Sequence, residues 1–227
     1  LLAGPQAATS ASSAADAQLI EQPMAAAIGA QLPIDEPVGN MVIDIGGGTS
    51  ETAVISLGGI VALEAVRVGS FDIDNAIQNY VRREHGIAIG ERTAEEIKVA
   101  IGSAAQTPDE VDAEVSGRDL MMGLPKTVVL TPEEIRYAID DVVSQIVQSV
   151  VRCLAKAPAE LAQDFLTRGM YLVGGGGLLR GLAERIETET QVPVRMSQMP
   201  LEAVVLGAGH CIENYDALKR MFMGQRR

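Results

Sequence analysis

The sequence contains no tryptophan, and aromatic residues occupy only 3% of its 227 positions. Proteins that bind single-stranded nucleic acid stack the bases on aromatic side chains, so this composition disfavours that role. Basic residues are also few, because 18 Lys and Arg stand against 30 Asp and Glu, for a formal net charge of −12. An acidic chain lacks the positive field that attracts a phosphate backbone. We therefore expect no nucleic-acid partner.

Cysteine and long apolar runs are equally scarce. Cys153 and Cys211 lack CxxC or metal-ligand spacing, which disfavours a disulfide framework and a zinc site, and we interpret both as small buried residues. No apolar run approaches the ~20 residues that cross a bilayer, and residues 1–17 lack the basic start of a signal peptide. A cytoplasmic protein is therefore expected. Because the chain begins with Leu1 rather than Met, we also expect it to be the later part of a longer gene product.

What the sequence does contain is a strong strand and helix pattern. Residues 1–15 are small, uncharged and typical of a loose end. An Ala-rich helix is predicted over Met24–Ala30, with Pro23 in its first turn. Three β-rich runs then predict an antiparallel meander whose last two strands meet at a Gly58-Gly59 hairpin turn. These runs are Met41–Ile45, Thr52–Leu57 and Ile60–Val68.

The next part of the chain is helical. Apolar residues spaced by three and four predict a helix over Phe71–His85, which Gly86 ends. Thr93 and Glu96 form a T-x-x-E pattern, which predicts the capped start of a second helix. That helix is expected to end at Gly102.

A β pair and a long helix follow. The pair is predicted over Val111–Ser116 and Lys126–Leu130, and Met121-Met122 in its loop either contacts another subunit or fills a local core. Thr131 and Glu134 predict a capping box for the long helix. Its core face is marked by residues three or four apart: Ile135, Ile139, Val142, Ile146, Val150 and Leu154.

The last third alternates strand and helix. Met170–Val173 predicts a strand that runs into Gly174–Gly177, and Val192–Met196 predicts another. The glycine run is expected to lead directly into a helix marked by Leu178, Leu179, Leu182 and Ile186. The final helix is marked by Leu201, Val204, Ala208, Ile212 and Tyr215.

This order of elements predicts the α/β class with an interruption. We predict a sheet subdomain over residues 16–70 and 141–218, and a smaller α+β subdomain inserted at residues 71–140. Residues 219–227 are expected to form a basic, solvated tail.

Two glycine loops are the candidate binding features. Asp44 and the run Gly46-Gly47-Gly48-Thr49 follow a buried strand, and consecutive glycines let backbone N–H groups approach a phosphate. Asp44 could hold Mg²⁺ through water, since Mg²⁺ usually takes few carboxylates. The alternative is a glycine-rich bend without a ligand. The second run, Gly174–Gly177, either meets a nucleotide or permits close strand–helix packing.

Several motifs together resemble the MreB family of bacterial actin-like rod-shape proteins. They are the runs at Leu19–Ala30, Asp44–Thr49, Gly90–Lys98 and Gly174–Gly181. The similarity extends over residues 16–219 in the right order and corresponds to the family's C-terminal half. It implies an actin-like ATPase lobe of the ribonuclease H-like fold, with an inserted smaller subdomain.

The resemblance also implies the site, an ATP site with Mg²⁺ between two lobes. Gly46, Gly47, Gly48 and Thr49 match the second phosphate loop, with Asp44 near the metal. Glu95, Glu96, Ile97 and Lys98 match the adenosine-side helix, where Glu95 and Lys98 share one face. Gly175, Gly176, Gly177 and Leu178 match a second nucleotide-contacting turn. Gln22 and Thr49 are the predicted catalytic residues.

Three departures from the family pattern carry predictions. The first phosphate loop belongs to the N-terminal half, which has no counterpart here, so we expect weak ATP binding. Gln22 replaces the second acid of Glu-Glu-Pro; it cannot accept a proton but can hold a water, so we predict slower hydrolysis. Gly69-Ser70-Phe71-Asp72 stands where the family has Gly-Gly-Asp-Lys, which changes the charges near the ribose, and we interpret Asp72 as an N-cap.

The leading hypothesis is a cytoskeletal subunit that binds ATP and forms homopolymer filaments, which guide cell-wall elongation and maintain rod shape. The resemblance implies partners among cell-wall elongation membrane proteins, and membrane attachment only through the missing half. The alternatives are a chaperone-type or sugar-kinase ATPase of the same superfold, and a truncated lobe that binds no nucleotide.

Overall fold

A computed structural model describes residues 18–222, so the predicted loose end at residues 1–15 lies outside the described residues. The strands are β1 (Asn40–Ile45), β2 (Ser50–Ser56), β3 (Gly59–Val66), β4 (Ile87–Ala88), β5 (Ala113–Asp119), β6 (Pro125–Leu130), β7 (Met170–Val173) and β8 (Val194–Met196). The helices are α1 (Gln22–Gly29), α2 (Ser70–Tyr80), α3 (Glu91–Ile101), α4 (Pro132–Lys156), α5 (Ala162–Arg168), α6 (Leu182–Thr190), α7 (Ala203–Glu213) and α8 (Tyr215–Leu218). Within this range no helix is both long and apolar enough to cross a membrane.

The larger sheet has the order β3-β2-β1-β7-β8. The meander β1-β2-β3 is antiparallel, as predicted, while β7 and β8 are parallel to β1. The hairpin turn consists of Leu57 and Gly58, both with positive φ, because Ser56 pairs with Gly59. The predicted Gly58-Gly59 turn is therefore wrong by one residue. Two positive φ angles are what a turn that matches the strand twist requires.

The smaller sheet, β4-β5-β6, is antiparallel and lies in sequence between α2 and α4. The capping box at Thr131 and Glu134 is confirmed, since the Thr131 hydroxyl accepts a hydrogen bond from the Glu134 N–H. The one predicted at Thr93 and Glu96 is wrong, because α3 begins two residues before Thr93, with Gly90 as its N-cap. Tertiary packing, not this local pattern, decides where α3 begins.

Helix α4 is the longest element and packs on both β2 and β3 and on α2. Four of its six predicted core residues are buried, while Val142 and Leu154 are only partly buried. Val143, Val147 and Cys153 are buried as well. The division into subdomains at residue 140 stays a prediction, and α4 runs through that position without a break.

Helices α1 and α7 cross at very short distance. A Cβ added at Gly207 would overlap the Ala25 carbonyl oxygen, and one added at Gly29 would overlap the Ala203 carbonyl oxygen. The buried face of α7 is Ala203, Gly207 and Cys211, whereas Ile212 is 78% exposed. The predicted final helix is confirmed, but the residues that marked it in the sequence are not its buried face, because close helix contact selects small residues and not the largest ones.

The end of the described chain also differs from its prediction. Met221 and Phe222 are buried in the same core as α1, so residues 221 and 222 are not part of a solvated tail. The Phe222 ring stacks on Tyr215 with centroids 5.5 Å apart. Residues 223–227 lie outside the described range.

Candidate functional site

The first glycine loop joins β1 to β2 and docks on the N-terminus of α2. The Gly46 N–H donates to the Thr49 carbonyl at 2.8 Å, which closes the loop. The carbonyls of Gly46 and Gly47 accept hydrogen bonds from the N–H groups of Ser70 (3.0 Å) and Phe71 (2.7 Å). The loop thus satisfies helix N–H groups that would otherwise lack partners.

The outer edge of this loop is open. Gly48 and Thr49 are exposed, and a Cβ added at Gly48 would meet nothing within 4 Å. Within residues 18–222, the N–H groups of Gly47 and Gly48 donate to no backbone acceptor. N–H groups without a backbone partner on a glycine loop suit an anion such as a phosphate.

Gly69 makes the docking of the loop possible. A Cβ added at Gly69 would lie 2.6 Å from the Gly47 carbonyl oxygen. Gly69 is the N-cap of α2, and its N–H donates to the Asp72 carboxylate at 2.8 Å. The N-cap role predicted for Asp72 is therefore wrong in position, because Asp72 caps the helix from its third residue.

Asp44 lies near the end of β1 and is only 2% exposed. Burial raises the pKa of Asp44, and a hydrogen bond from Gln22 Nε2 to its Oδ2, 2.8 Å long, opposes this rise. Gly174 permits the arrangement, because a Cβ there would lie 2.6 Å from Asp44 Oδ1. Gln22 and Asp44, predicted from separate motifs, are thus brought into contact.

The surroundings of Asp44 are acidic. The pKa of Glu51 is raised, first by burial and then by the charges of Asp44 and Glu21. Among the described residues, no group of three or more His, Cys, Asp or Glu side chains could hold a metal ion. Asp44 therefore fits Mg²⁺ only in the form that keeps several waters and takes its other ligands from phosphate.

The second glycine run does not lead directly into a helix, so that expectation is wrong. Residues Gly175–Leu178 form a 3₁₀ turn, and α6 begins only at Leu182. Gly176 and Gly177 are buried, and a Cβ at Gly176 would collide with the Ile45 side chain. Close packing of the turn on β1 is therefore one role of this run.

The four residues of α3 that were predicted to contact the nucleotide, Glu95 to Lys98, lie in different environments. Lys98 lies 2.9 Å from both carboxylate oxygens of Asp74 and donates to Ser70 Oγ at 2.6 Å. Ile97 is 3% exposed and belongs to the core. Glu96 lies on the outer face, where Arg92 donates to it at 3.0 Å.

A cavity of about 430 Å³ joins the three predicted segments. From the predicted set it is lined by Gly47, Glu95, Lys98, Gly175, Gly176 and Leu178. Gln22, Asp44, Gly46, Gly48, Thr49, Glu96, Ile97 and Gly177 do not line it.

Sequence reasoning assigned no ligand contact to Ser70, Phe71 or Arg180, which also line the cavity. For Ser70 and Phe71, the signal in the sequence was the departure from the family pattern at residues 69–72. A larger cavity of about 510 Å³ between α2 and α4 contains none of the predicted site residues.

Comparison with known proteins identifies the family of the chain. The family model of the MreB/Mbl protein matches residues 5–220. The cell shape-determining protein MreB of Escherichia coli (strain K12) is 49% identical over 198 residues, which cover 87% of this chain and 57% of that protein. The cell shape-determining protein Mbl of Bacillus subtilis (strain 168) is 40% identical over 202 residues, which cover 89% and 61%.

Solved structures give the same fold. MreB 5 of Spiroplasma citri bound to AMPPNP matches with a TM-score of 0.83 and 36% identity, covering 87% of this chain and 59% of that chain. A MamK double helical filament matches with a TM-score of 0.69 at 19% identity, which supports the fold alone. The chain spans somewhat more than half the length of these relatives. It has an actin-like fold and belongs to the MreB/Mbl family.

Proposed function

We propose that this chain is part of an actin-like cytoskeletal subunit that binds ATP with Mg²⁺ and polymerises into filaments. The observation that carries the proposal is the cavity where the glycine loop, α3 and the 3₁₀ turn meet. The related MreB 5 of Spiroplasma citri has been solved with AMPPNP and with ADP. A cavity lined by apolar side chains and a few placed polar groups is typical of a small-molecule site.

Different residues contact the phosphates, the ribose and the base. The N–H groups of Gly47 and Gly48 and the Thr49 hydroxyl bind phosphate oxygens, while Gly46 keeps the loop closed through its bond to the Thr49 carbonyl. Glu95 and Lys98 face the ribose, and Lys98 is already oriented by Asp74 and Ser70. The backbone of the turn, with Leu178, borders the base. Ile97 and Gly177 act indirectly, as buried residues that support these groups, whereas Glu96 lies on the outer face of α3 and is given no contact with the nucleotide.

Bound ATP supplies a phosphoanhydride bond that water can cleave. Asp44 would hold Mg²⁺ through water, and its buried carboxylate and that of Glu51 would then lie near a positive charge that offsets the cost of their burial. Gln22 uses its amide N–H to hold Asp44, which leaves its carbonyl oxygen to accept a hydrogen bond from a water. Since an amide cannot accept a proton, hydrolysis is slow.

In the cell, the filaments guide cell-wall elongation and maintain rod shape. The subunits associate head to tail, because a heterologous contact that does not close produces a fibre. Partners are other copies of the protein and cell-wall elongation membrane proteins. The filaments are cytoplasmic and reach the membrane through a part of the protein outside this chain.

Calorimetric titration of the 227-residue protein with Mg-ATP tests the nucleotide site. Gly47→Val should abolish binding, because its branched side chain would meet the Phe71 ring and block the loop. Gly90→Val is the matched control, since a Cβ at Gly90 meets nothing within 4 Å. No binding by the unaltered protein would support the truncated-lobe alternative. ATP-dependent sedimentation then separates a filament subunit from a kinase or chaperone ATPase.

A further inference from the structure

Exposed apolar side chains converge on the cavity beside the glycine loop. They are Phe71, Val99, Leu178 and Leu201, with exposed fractions of 67%, 71%, 50% and 63%. The polar side chains at the same cavity include Glu95 and Lys98. Leaving several large apolar groups open to water is unfavourable, so such a cluster around a cavity indicates a ligand with apolar surface.

Phe71 is the aromatic member of this cluster and packs on the glycine loop. The sequence has three phenylalanines, and the other two, Phe165 and Phe222, are buried. The Phe71 N–H donates to the Gly47 carbonyl at 2.7 Å, and a Cβ added at Gly47 would lie 2.6 Å from the ring. The ring is therefore held at the junction between the glycine loop and the cavity.

We propose that the Phe71 ring binds the nucleoside part of a purine nucleotide, by contact of its exposed surface with the base and sugar. The proposal rests on the proposed nucleotide-binding function. A phenyl ring offers no hydrogen bond or charge to a phosphate, so its contribution is confined to the nucleoside. Aromatic rings and bases stack through their π faces whatever the base sequence, and a purine has the larger face.

The test compares two ligands in calorimetric titrations of the 227-residue protein. Phe71→Ala should weaken Mg-ATP binding about 5- to 20-fold, the loss of one modest stacking contact. Binding of inorganic tripolyphosphate should change by less than about twofold, since phosphate groups do not contact the ring. Phe71→Trp should keep ATP affinity within about twofold of the unaltered protein, because it keeps an aromatic face.

Controls separate this role from a structural one. Leu166→Ala removes a comparable exposed apolar side chain, 54% exposed on α5, and should leave both affinities unchanged. Thermal melts check folding, and Phe71→Leu keeps apolar bulk without a π face. This variant should also weaken ATP more than tripolyphosphate.

The outcomes are distinct. If the unaltered protein binds ATP and Phe71→Ala binds it equally well, the inference is wrong and the proposed function stands. An equal loss for both ligands would also overturn it, because the ring would then act through the loop. If the unaltered protein binds no ATP, the inference and the proposed function fall together.

Discussion

Gln22 and Asp44 are joined by a hydrogen bond of 2.8 Å from the amide Nε2 to the carboxylate Oδ2. Gln22 starts α1 and Asp44 lies near the end of β1, so the contact exists only in the folded chain. An amide can donate this bond at any pH, whereas a carboxylate at position 22 could donate only when protonated. The identity of residue 22 therefore affects both the attacking water and the Asp44 carboxylate that is proposed to hold Mg²⁺.

Replacing Gln22 by Glu should raise ATP hydrolysis. The new carboxylate can accept a proton from the attacking water, and we expect phosphate release to increase at least about 10-fold. The measurement is steady-state phosphate release with Mg-ATP. Gln22→Ala serves as the control, since it removes the Asp44 contact without adding a base, and it should lower the rate. An unchanged rate in Gln22→Glu would show that residue 22 does not limit hydrolysis.

Replacing Asp44 by Asn should stabilise the fold at pH 7 and weaken the Mg²⁺ dependence of ATP affinity. Asn keeps an oxygen that accepts from Gln22 but carries no buried charge. Thermal melts at pH 7 should therefore give the Asn variant a higher melting temperature than the unaltered protein.

The pH dependence gives a second check on Asp44. Its pKa is raised in the folded protein, so the unaltered protein gains stability as the pH falls through that raised pKa toward 3.8. The Asn variant lacks this gain. The difference in melting temperature should therefore shrink at low pH, and a constant difference would mean that the Asp44 charge is not its cause.

Replacing Lys98 by Met should destabilise the protein, because it leaves the Asp74 carboxylate buried without its partner. The two side chains are 12% and 10% exposed, and loss of one partner should cost about 2–3 kcal/mol. Denaturant unfolding measures the loss. The double variant Lys98→Met with Asp74→Asn should recover most of it, and the absence of recovery would contradict the pairing.

The same variant has a characteristic pH profile. Burial raises the pKa of Asp74, and Lys98 opposes that rise. Without Lys98 the pKa of Asp74 rises further, so protonation relieves the buried charge at a higher pH. The stability deficit of Lys98→Met should therefore be largest near pH 7 and diminish as the pH falls.

Alanine at two glycines of α7 should have opposite effects. Gly207→Ala forces α1 and α7 apart, because its Cβ would overlap the Ala25 carbonyl, and should cost about 3 kcal/mol or more. Gly209→Ala meets nothing within 4 Å and should stabilise by ~0.5–1 kcal/mol through helix propensity. Thermal melts of both variants measure these stability changes. Equal changes for the two variants would contradict the close crossing of α1 and α7.

Much of the local structure could be predicted from residue order. The antiparallel meander, the strand at Met170–Val173 and the Thr131 cap depend on neighbours in sequence, and all three are confirmed. The face of α7 and the environment of Met121 could not be predicted in this way. Met121 is 96% exposed, so the local-core alternative is wrong, and its role as a subunit contact stays a prediction.

The candidate site likewise has features that depend on neighbours in sequence and features that depend on distant contacts. Residue order alone indicates which segments carry the glycine loops and that Glu95 and Lys98 share a helix face, because backbone freedom and helical spacing are local properties. The folding of the whole chain, in contrast, brings Gln22 to Asp44 and Lys98 to Asp74. It also buries Ile97 in the core. These relationships join residues far apart in the chain, and no local pattern encodes which distant side chains will share a buried space.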